Sequence, residues 1–374
     1  MGRMTRLIVA AGGGGDAVAA AMLHTALYGD EDQAVILTYA WDRLLVDPVP
    51  GPRRPADFTG LEPVTQSVWS VPAEARPVPP AGSTLPRLAA ELPHTLALLD
   101  PGQGAEGVTR QLEKLISHLS PESIDLLDVG GDILARGDEA TLKSPLADAL
   151  TLAACCQVNT PVRLLLAGPG LDGEIPPADL RPLLGPLVHT FTPKDTETIS
   201  AVLEWHPSEA TAMLAATARG VRGTCEMRDA GLSIRLTDEG ATVHEVDLDE
   251  AVSRNSLARA VMMTTTLGEA EAHSREICGF SEIDYERNKA AWLKKQPPVK
   301  LDPGKVLPQL DRFQTEARAR GITHTTFRHL TEALKLSGAQ RGDLRELLIS
   351  ERPSQHDAPL WNVTAHPEGT KPQT

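Results

Sequence analysis

Aromatic side chains make up only 3% of this 374-residue chain. A ring that stacks on a base or sugar must therefore come from one of a few positions, and Trp41 at a strand end is the candidate. Cysteine is nearly absent: Cys155, Cys156, Cys225 and Cys278 form no Cys-x-x-Cys pair. This argues for reduced thiols in a cytoplasmic protein and against a zinc site. A basic excess is also missing, because 36 Lys and Arg face 50 Asp and Glu for a net charge of -14. That balance speaks against nucleic acid and anionic membrane as partners and leaves a cation, a metal or a small molecule as the natural ligand. A local basic pocket for phosphate stays compatible with it.

No apolar run reaches membrane-spanning length, and the N-terminal segment MGRMTRLIVAAGGGG breaks into glycines too early for a signal peptide. No Gly-Lys-Ser/Thr ending completes a Walker A loop, and no Gly-x-Ser-x-Gly elbow appears. His244, His273, His324 and His329 lack metal-ligand spacing.

Glycine and proline are abundant, at 30 residues each. Leu7 to Ala11, Gln33 to Tyr39, Thr95 to Asp100, Ile124 to Asp128 and Val162 to Ala167 are short apolar runs, and most are followed by a glycine turn and a helical pattern. This alternation predicts an α/β fold with a doubly wound, mainly parallel sheet, three-layered and Rossmann-like. Proline density from 48 to 93 predicts an extended excursion that forms a lid or wall. Alternation from Thr224 to Leu248, around Asp229-Ala230-Gly231 and Asp238-Glu239-Gly240, predicts an antiparallel edge ribbon. The expected organisation is an α/β domain over 1–275, an α-helical extension over 276–350 and a disordered tail over 351–374.

The expected strands end in glycine plus acid. In an open α/β sheet ligands bind beyond the carboxyl ends of the strands, so Asp16, Asp42, Asp100, Asp128, Asp132 and Asp172 would share one rim. Asp is also a common turn former and helix cap, so the number of acids on one rim carries the argument rather than any one of them. Gly12, Gly13, Gly14 and Gly15 before Asp16 would let amides at a helix N-terminus approach a phosphate; a tight turn without ligand is the plainer alternative. Asp128, Gly130, Gly131, Asp132 and then Asp138-Glu139 suit Mg²⁺ or sugar hydroxyls, with Asp128 and Asp132 as metal ligands and Asp132, Asp16 and Asp138 in acid–base work. Glu139 reads better as a turn cap. Arg43 would screen phosphate, while Trp41 is more often core than ligand-binding. The run Gly102-Gln103-Gly104-Ala105-Glu106-Gly107 matches the dinucleotide fingerprint, with Asp128 about 20 residues further on. Glu106 inside that turn would repel a pyrophosphate, so NAD is the lesser expectation.

The pairing of AGGGGDAVAA with DVGGDILARGDEATLKSPLADAL resembles the bacterial and archaeal family catalogued as domain of unknown function 1152, over roughly residues 5 to 275. The resemblance implies a shared α/β fold and a shared site around Gly12 to Asp16 and Asp128 to Asp148, and it brings no substrate. The expected function is an enzyme acting on a small phosphate-bearing or ribosylated metabolite by transfer or cleavage. The alternatives are an NAD-dependent oxidoreductase and a non-catalytic nucleotide-binding scaffold. Association into homo-oligomers is left open.

Overall fold

The computed structural model describes residues 6–29, 32–228, 231–296 and 300–365. Strands β1 (Arg6–Ala10) and β2 (Ala34–Tyr39) are almost wholly buried and joined by helix α1 (Gly14–Tyr28). Four two-residue strands follow in the excursion: β3 (Phe58–Thr59), β4 (Glu62–Pro63), β5 (Trp69–Ser70) and β6 (Arg76–Pro77), then helix α2 (Leu85–Glu91). The alternation then resumes with β7 (Thr95–Leu99), α3 (Gly104–Leu119), β8 (Ile124–Val129), α4 (Pro145–Cys155) and β9 (Val162–Ala167). Five expected strands are thus present within a residue or two of their expected limits. Continuous apolar runs are what a strand covered on both faces requires.

These elements build a mixed α/β protein around a nine-stranded, mostly parallel sheet in the order β10-β13-β9-β8-β1-β2-β7-β5-β4, where β10 (Leu187–Thr190) and β13 (Thr242–Val246) form one edge. The central strands β7, β2, β1, β8 and β9 are parallel. From β1 the chain moves outward to β2 and β7, then returns to the opposite side of β1 as β8 and β9. The loops after β1 and β8 therefore part company above the junction of these two strands and leave a crevice there. Strand side chains alternate between faces, and helices cover both. Ile8, Ile36 and Leu127 pack with α1 and α2 on one face, and Val9, Leu37 and Leu126 pack with α3 and α4 on the other. In α3, Val108, Leu112 and Leu115 are fully buried, and each contributes roughly 1.5–3 kcal/mol by leaving water.

The later part of the chain departs from expectation. After α5 (Pro177–Leu180), α6 (Ser200–Leu203) and α7 (Glu209–Ala218), the expected ribbon divides between two sheets. β11 (Gly223–Met227) and β12 (Leu232–Leu236) pair with each other, whereas β13 inserts antiparallel to β9 in the main sheet. Alternation marks a strand but not its partner. Val243 and Val246 of β13 are buried in the cores on opposite faces of the main sheet, which calls for a position inside it. The turn at Asp229-Ala230 lies outside the described residues.

Helices α8 (Leu248–Arg254), α9 (Ser256–Val261), α10 (Leu267–Cys278) and α11 (Glu282–Leu293) lead to α12 (Pro303–Ala319). Next come β14 (His324–Thr325), α13 (Phe327–Ala333), α14 (Arg341–Glu351), β15 (His356–Asp357) and β16 (Leu360–Asn362). The last portion is therefore not purely helical, because β14, β16 and β15 complete a five-stranded sheet with β12 and β11. The expected disordered tail also needs correction through residue 365. Its polar, proline-rich composition hides Leu360, Trp361 and Val363, which are all fully buried. Residues 366–374 lie outside the described residues.

Candidate active site

The crevice at the strand ends is a cavity of about 950 Å³, including its open mouth. Its floor is built by the turns after β1 and β8. Gly13 caps α1 without a side-chain hydrogen bond, and the Asp16 amide turns back to the Gly13 carbonyl at 3.1 Å, which leaves the Gly14 and Gly15 amides as the donors of this helix start. A Cβ on Gly13 would press on the Trp41 carbonyl, one on Gly14 would reach 3.0 Å from Thr84 Oγ1, and one on Gly15 would overlap Ser208 Oγ at 2.5 Å. Close packing of neighbouring loops thus already requires a glycine at 15 and leaves little room for a side chain at 13 and 14. After β8, Gly130 and Gly131 have φ of 115° and 123°, and a Cβ on Gly130 would collide with the Asp172 carboxyl. Glycine there lets Asp172, from the turn after β9, lean over the end of β8.

Three carboxylates converge. Asp16 in the first turn of α1, Asp128 at the end of β8 and Asp148 in the first turn of α4 each offer an oxygen, and these oxygens lie within 4.8 Å of one another. Gly12 N–H donates to Asp16 Oδ2 at 2.7 Å. Asp128 Oδ2 and Asp148 Oδ1 are shielded from solvent and have no hydrogen-bond partner, an arrangement that buried carboxylates rarely sustain without a proton or a cation. Asp132, Asp172, Glu174 and Glu282 line the same cavity.

Burial raises the pKa of these carboxyl groups first, and crowding of like charge adds to it. Desolvation lifts Asp16 to about 7 against the pull of the Gly12 amide and Arg43. It lifts Asp172 to about 7 with help from Glu174. Glu282 reaches about 8, opposed by the Leu146 amide and Arg43. Asp128, Asp132 and Asp148 all rise well above the usual carboxylate range, through desolvation and then through neighbouring carboxylates.

Two of these acids hold the scaffold. Glu174 accepts from the Lys143 and Ser144 amides, Ser144 Oγ and Arg228 Nη2, all at 2.7–3.0 Å. Glu282 Oε2 accepts from Leu146 N at 3.0 Å and so caps α4. Ser144 sits at the expected cap position, but its hydroxyl serves Glu174 and accepts from Arg43 Nη2 at 3.2 Å. Asp42 is spent on Thr84, whose amide and hydroxyl it accepts at 2.9 and 2.7 Å. Trp41 is 9% exposed and donates its indole N–H to Glu286, so it is a wall residue.

The structure brings together Gly12, Gly13, Gly14, Gly15, Asp16, Arg43, Asp128 and Asp132. The three-carboxylate cluster includes Asp148 in place of the expected Asp132. Asp138 does not join them: its side chain is 73% exposed and pairs with Arg136 at 3.0 Å. Glu139 caps the turn by accepting from the Arg136 and Gly137 amides, as expected. Gly102, Gly104 and Asp100 also lie away from the cavity. A Cβ on Gly102 would meet the Arg54 guanidinium at 2.4 Å and one on Gly104 the Thr264 carbonyl at 2.3 Å, so protein fills this turn. Asp100 caps it and pairs with Arg54.

Sequence reasoning missed His206, Arg228, Glu282 and Arg328. No motif marks them, since each reaches the crevice from a late segment of the chain. Asp148 had a signal, an acid at the fourth position of a Pro-initiated helix inside the second glycine–acid stretch.

The family described as "Protein of unknown function (DUF1152)" matches residues 7–290, which include the whole carboxylate cluster, and the chain belongs to that family. Searches of the curated proteins and of the solved structures returned no match.

Proposed function

We propose that this member of an unassigned family is a divalent-cation-dependent enzyme acting on a small phosphate-bearing or ribosylated metabolite, by group transfer or hydrolytic or lyase cleavage. The finer reading of its sheet is Rossmann-like, supported by the β7-β2-β1-β8-β9 order and by a cavity at the point where that order reverses. The observation that carries the proposal is the Asp16, Asp128 and Asp148 cluster, with two of its oxygens buried and unpartnered.

These residues fit a hard cation, because the donors are all carboxylate oxygens and Mg²⁺ or Mn²⁺ takes its remaining ligands from water and substrate phosphate. When bound, such an ion supplies charge neutralisation and Lewis acidity for a phosphoryl or hydroxyl oxygen. The chain's own groups do the rest. Arg43 at the mouth, held by Ser144, offers its guanidinium to an anionic substrate group. Asp132, buried beside the cluster on the turn after Gly130-Gly131, is placed to accept or release a proton. Gly14 and Gly15 of the α1 start line the crevice, and a helix N-terminus favours negative charge near Asp16 only once a cation has offset that carboxylate.

Isothermal titration of the full chain with Mn²⁺ tests the reading. One saturable site in the wild type, absent in Asp128→Asn and Asp148→Asn proteins that keep their fold, is expected. A wild-type protein that takes up no divalent cation at millimolar concentration overturns it.

A further inference from the structure

A second cavity of about 370 Å³, again including its open mouth, adjoins the first, and the two share the wall formed by His206, Pro207, Ser208, Glu209 and Arg328. Its chemistry is opposite in sign. α13 contributes Arg328, and α14 contributes Arg341 and Arg345. Two carboxylates answer these three cations. Glu204 pairs with Arg345, and Glu209 pairs with Arg328 at 3.2 Å. Glu209 is already shared with the Arg228 amide and the Thr326 hydroxyl. Among the described residues no carboxylate lies within salt-bridge reach of Arg341, whose guanidinium donates to the Trp205 carbonyl. Burial and the neighbouring Arg328 and Arg345 charges lower Arg341 to about 10. Like charges held together in a shielded place favour an anion between them.

Unused donors face the same wall. Arg328 Nε is shielded and has no acceptor. His206 Nδ1 accepts from the Ser208 amide at 3.3 Å, and burial keeps the ring neutral by lowering it to about 3. The neutral tautomer then carries its proton on Nε2, and that atom is buried without a partner. It lies beside Gly14, where an added Cβ would sit 3.3 Å from it. A hydrogen-bond donor, two guanidiniums and the start of α1 thus converge next to the carboxylate cluster.

We propose that His206, Arg328 and Arg341 form the subsite for the terminal phosphate of the substrate, so that the substrate is a phosphate monoester with its reacting portion towards the carboxylates. This rests on the functional reading above. It also gives the C-terminal portion a role: Arg328 and Arg341 lie beyond residue 290, where the family match ends. Substrate choice is then set by a segment outside the shared region, while the cation site belongs to the family.

The test is titration of the full chain with inorganic phosphate, in EDTA and again with Mn²⁺, followed by thermal shift and calorimetry. The wild type is expected to bind phosphate in EDTA, with affinity at least 10-fold lower in Arg341→Gln and Arg328→Gln and partly restored in Arg328→Lys. Among the described residues Arg341 has no carboxylate partner to lose, only the Trp205 carbonyl, so its variant stays informative if Arg328→Gln unfolds. Mn²⁺ binding should be unchanged in all three. Absence of phosphate binding in wild type, equal affinity in Arg341→Gln, or loss of metal-free phosphate binding only in Asp128→Asn overturns the subsite. Failure of Mn²⁺ binding with phosphate binding intact overturns the cation reading alone.

Discussion

Gly12 to Asp16 and Gly102 to Gly107 look alike as sequence. Each follows a buried parallel strand, is rich in glycine and opens a helix of 15 or 16 residues. In the fold they have opposite meanings. The first stands after β1, where the strand order reverses and neighbouring loops move apart, so its turn opens on a cavity. The second stands after β7, between parallel β2 and antiparallel β5 and away from the reversal of strand order, and Arg54 and Thr264 pack where a Cβ on Gly102 or Gly104 would sit. A glycine turn reports that something comes close to the backbone. Whether that is a ligand or another part of the chain depends on the strand's place in the sheet.

The sharpest way to break this comparison is to disable the first region. Asp128→Asn should lower divalent-cation affinity by at least about 100-fold, more than removing an outer-shell partner does, as read by Mn²⁺ calorimetry. Its cation-free stability near neutral pH should rise, because a buried carboxyl that must hold its proton in the fold, and would ionise when unfolded, is removed.

Next in size is the pH response. Acids such as Asp16 and Asp172, raised to about 7 in the fold and near 3.8 when unfolded, keep their protons when the unfolded chain has lost them. Stability therefore falls as pH rises from about 4 to about 7, at up to about 1.4 kcal/mol per pH unit per group. Thermal melts in EDTA should show this decline, and saturating Mn²⁺ should remove most of it. A flat profile in EDTA would mean the cluster is wetter than the fold indicates.

The two glycine turns can then be compared directly. Gly104→Ala places a side chain at φ 59° and against the Thr264 carbonyl. It should lose about 1–3 kcal/mol or more in denaturant melts while leaving Mn²⁺ binding intact. Gly14→Ala gains helix propensity and tightens against His206 and Thr84, so stability should stay within about 1 kcal/mol while phosphate affinity drops severalfold. The reverse pattern would exchange the roles of the two turns. The smallest effect is expected from Asp138→Ala, within about 0.5 kcal/mol and without change in cation binding.

Much of this protein is decided locally. Buried runs such as Leu7 to Ala10 and Ile124 to Val129 are short and end in glycine turns, which favours strands over helices, Pro145 starts a helix, and an acid placed just after a glycine turn arrives at a strand end wherever the strand goes. Half of the site, Gly12 to Asp16 with Asp128 and Asp132, was legible for that reason. Partnership was not. Alternation in Thr224 to Leu248 marked strands but could not say that β13 enters one sheet and β11 another, and polar composition concealed Trp361, which is buried in a separate core of the C-terminal portion. Asp148 entered the carboxylate cluster and Asp138 left it because helix α4 turns one inward and a solvent-facing turn carries the other out. Only the assembled sheet sets which strand ends are neighbours, since that order rests on contacts between residues far apart in the chain. Those contacts separate an open glycine turn from a filled one, and they bring Arg328 to a cavity whose three clustered carboxylates, Asp16, Asp128 and Asp148, come from the first half of the sequence.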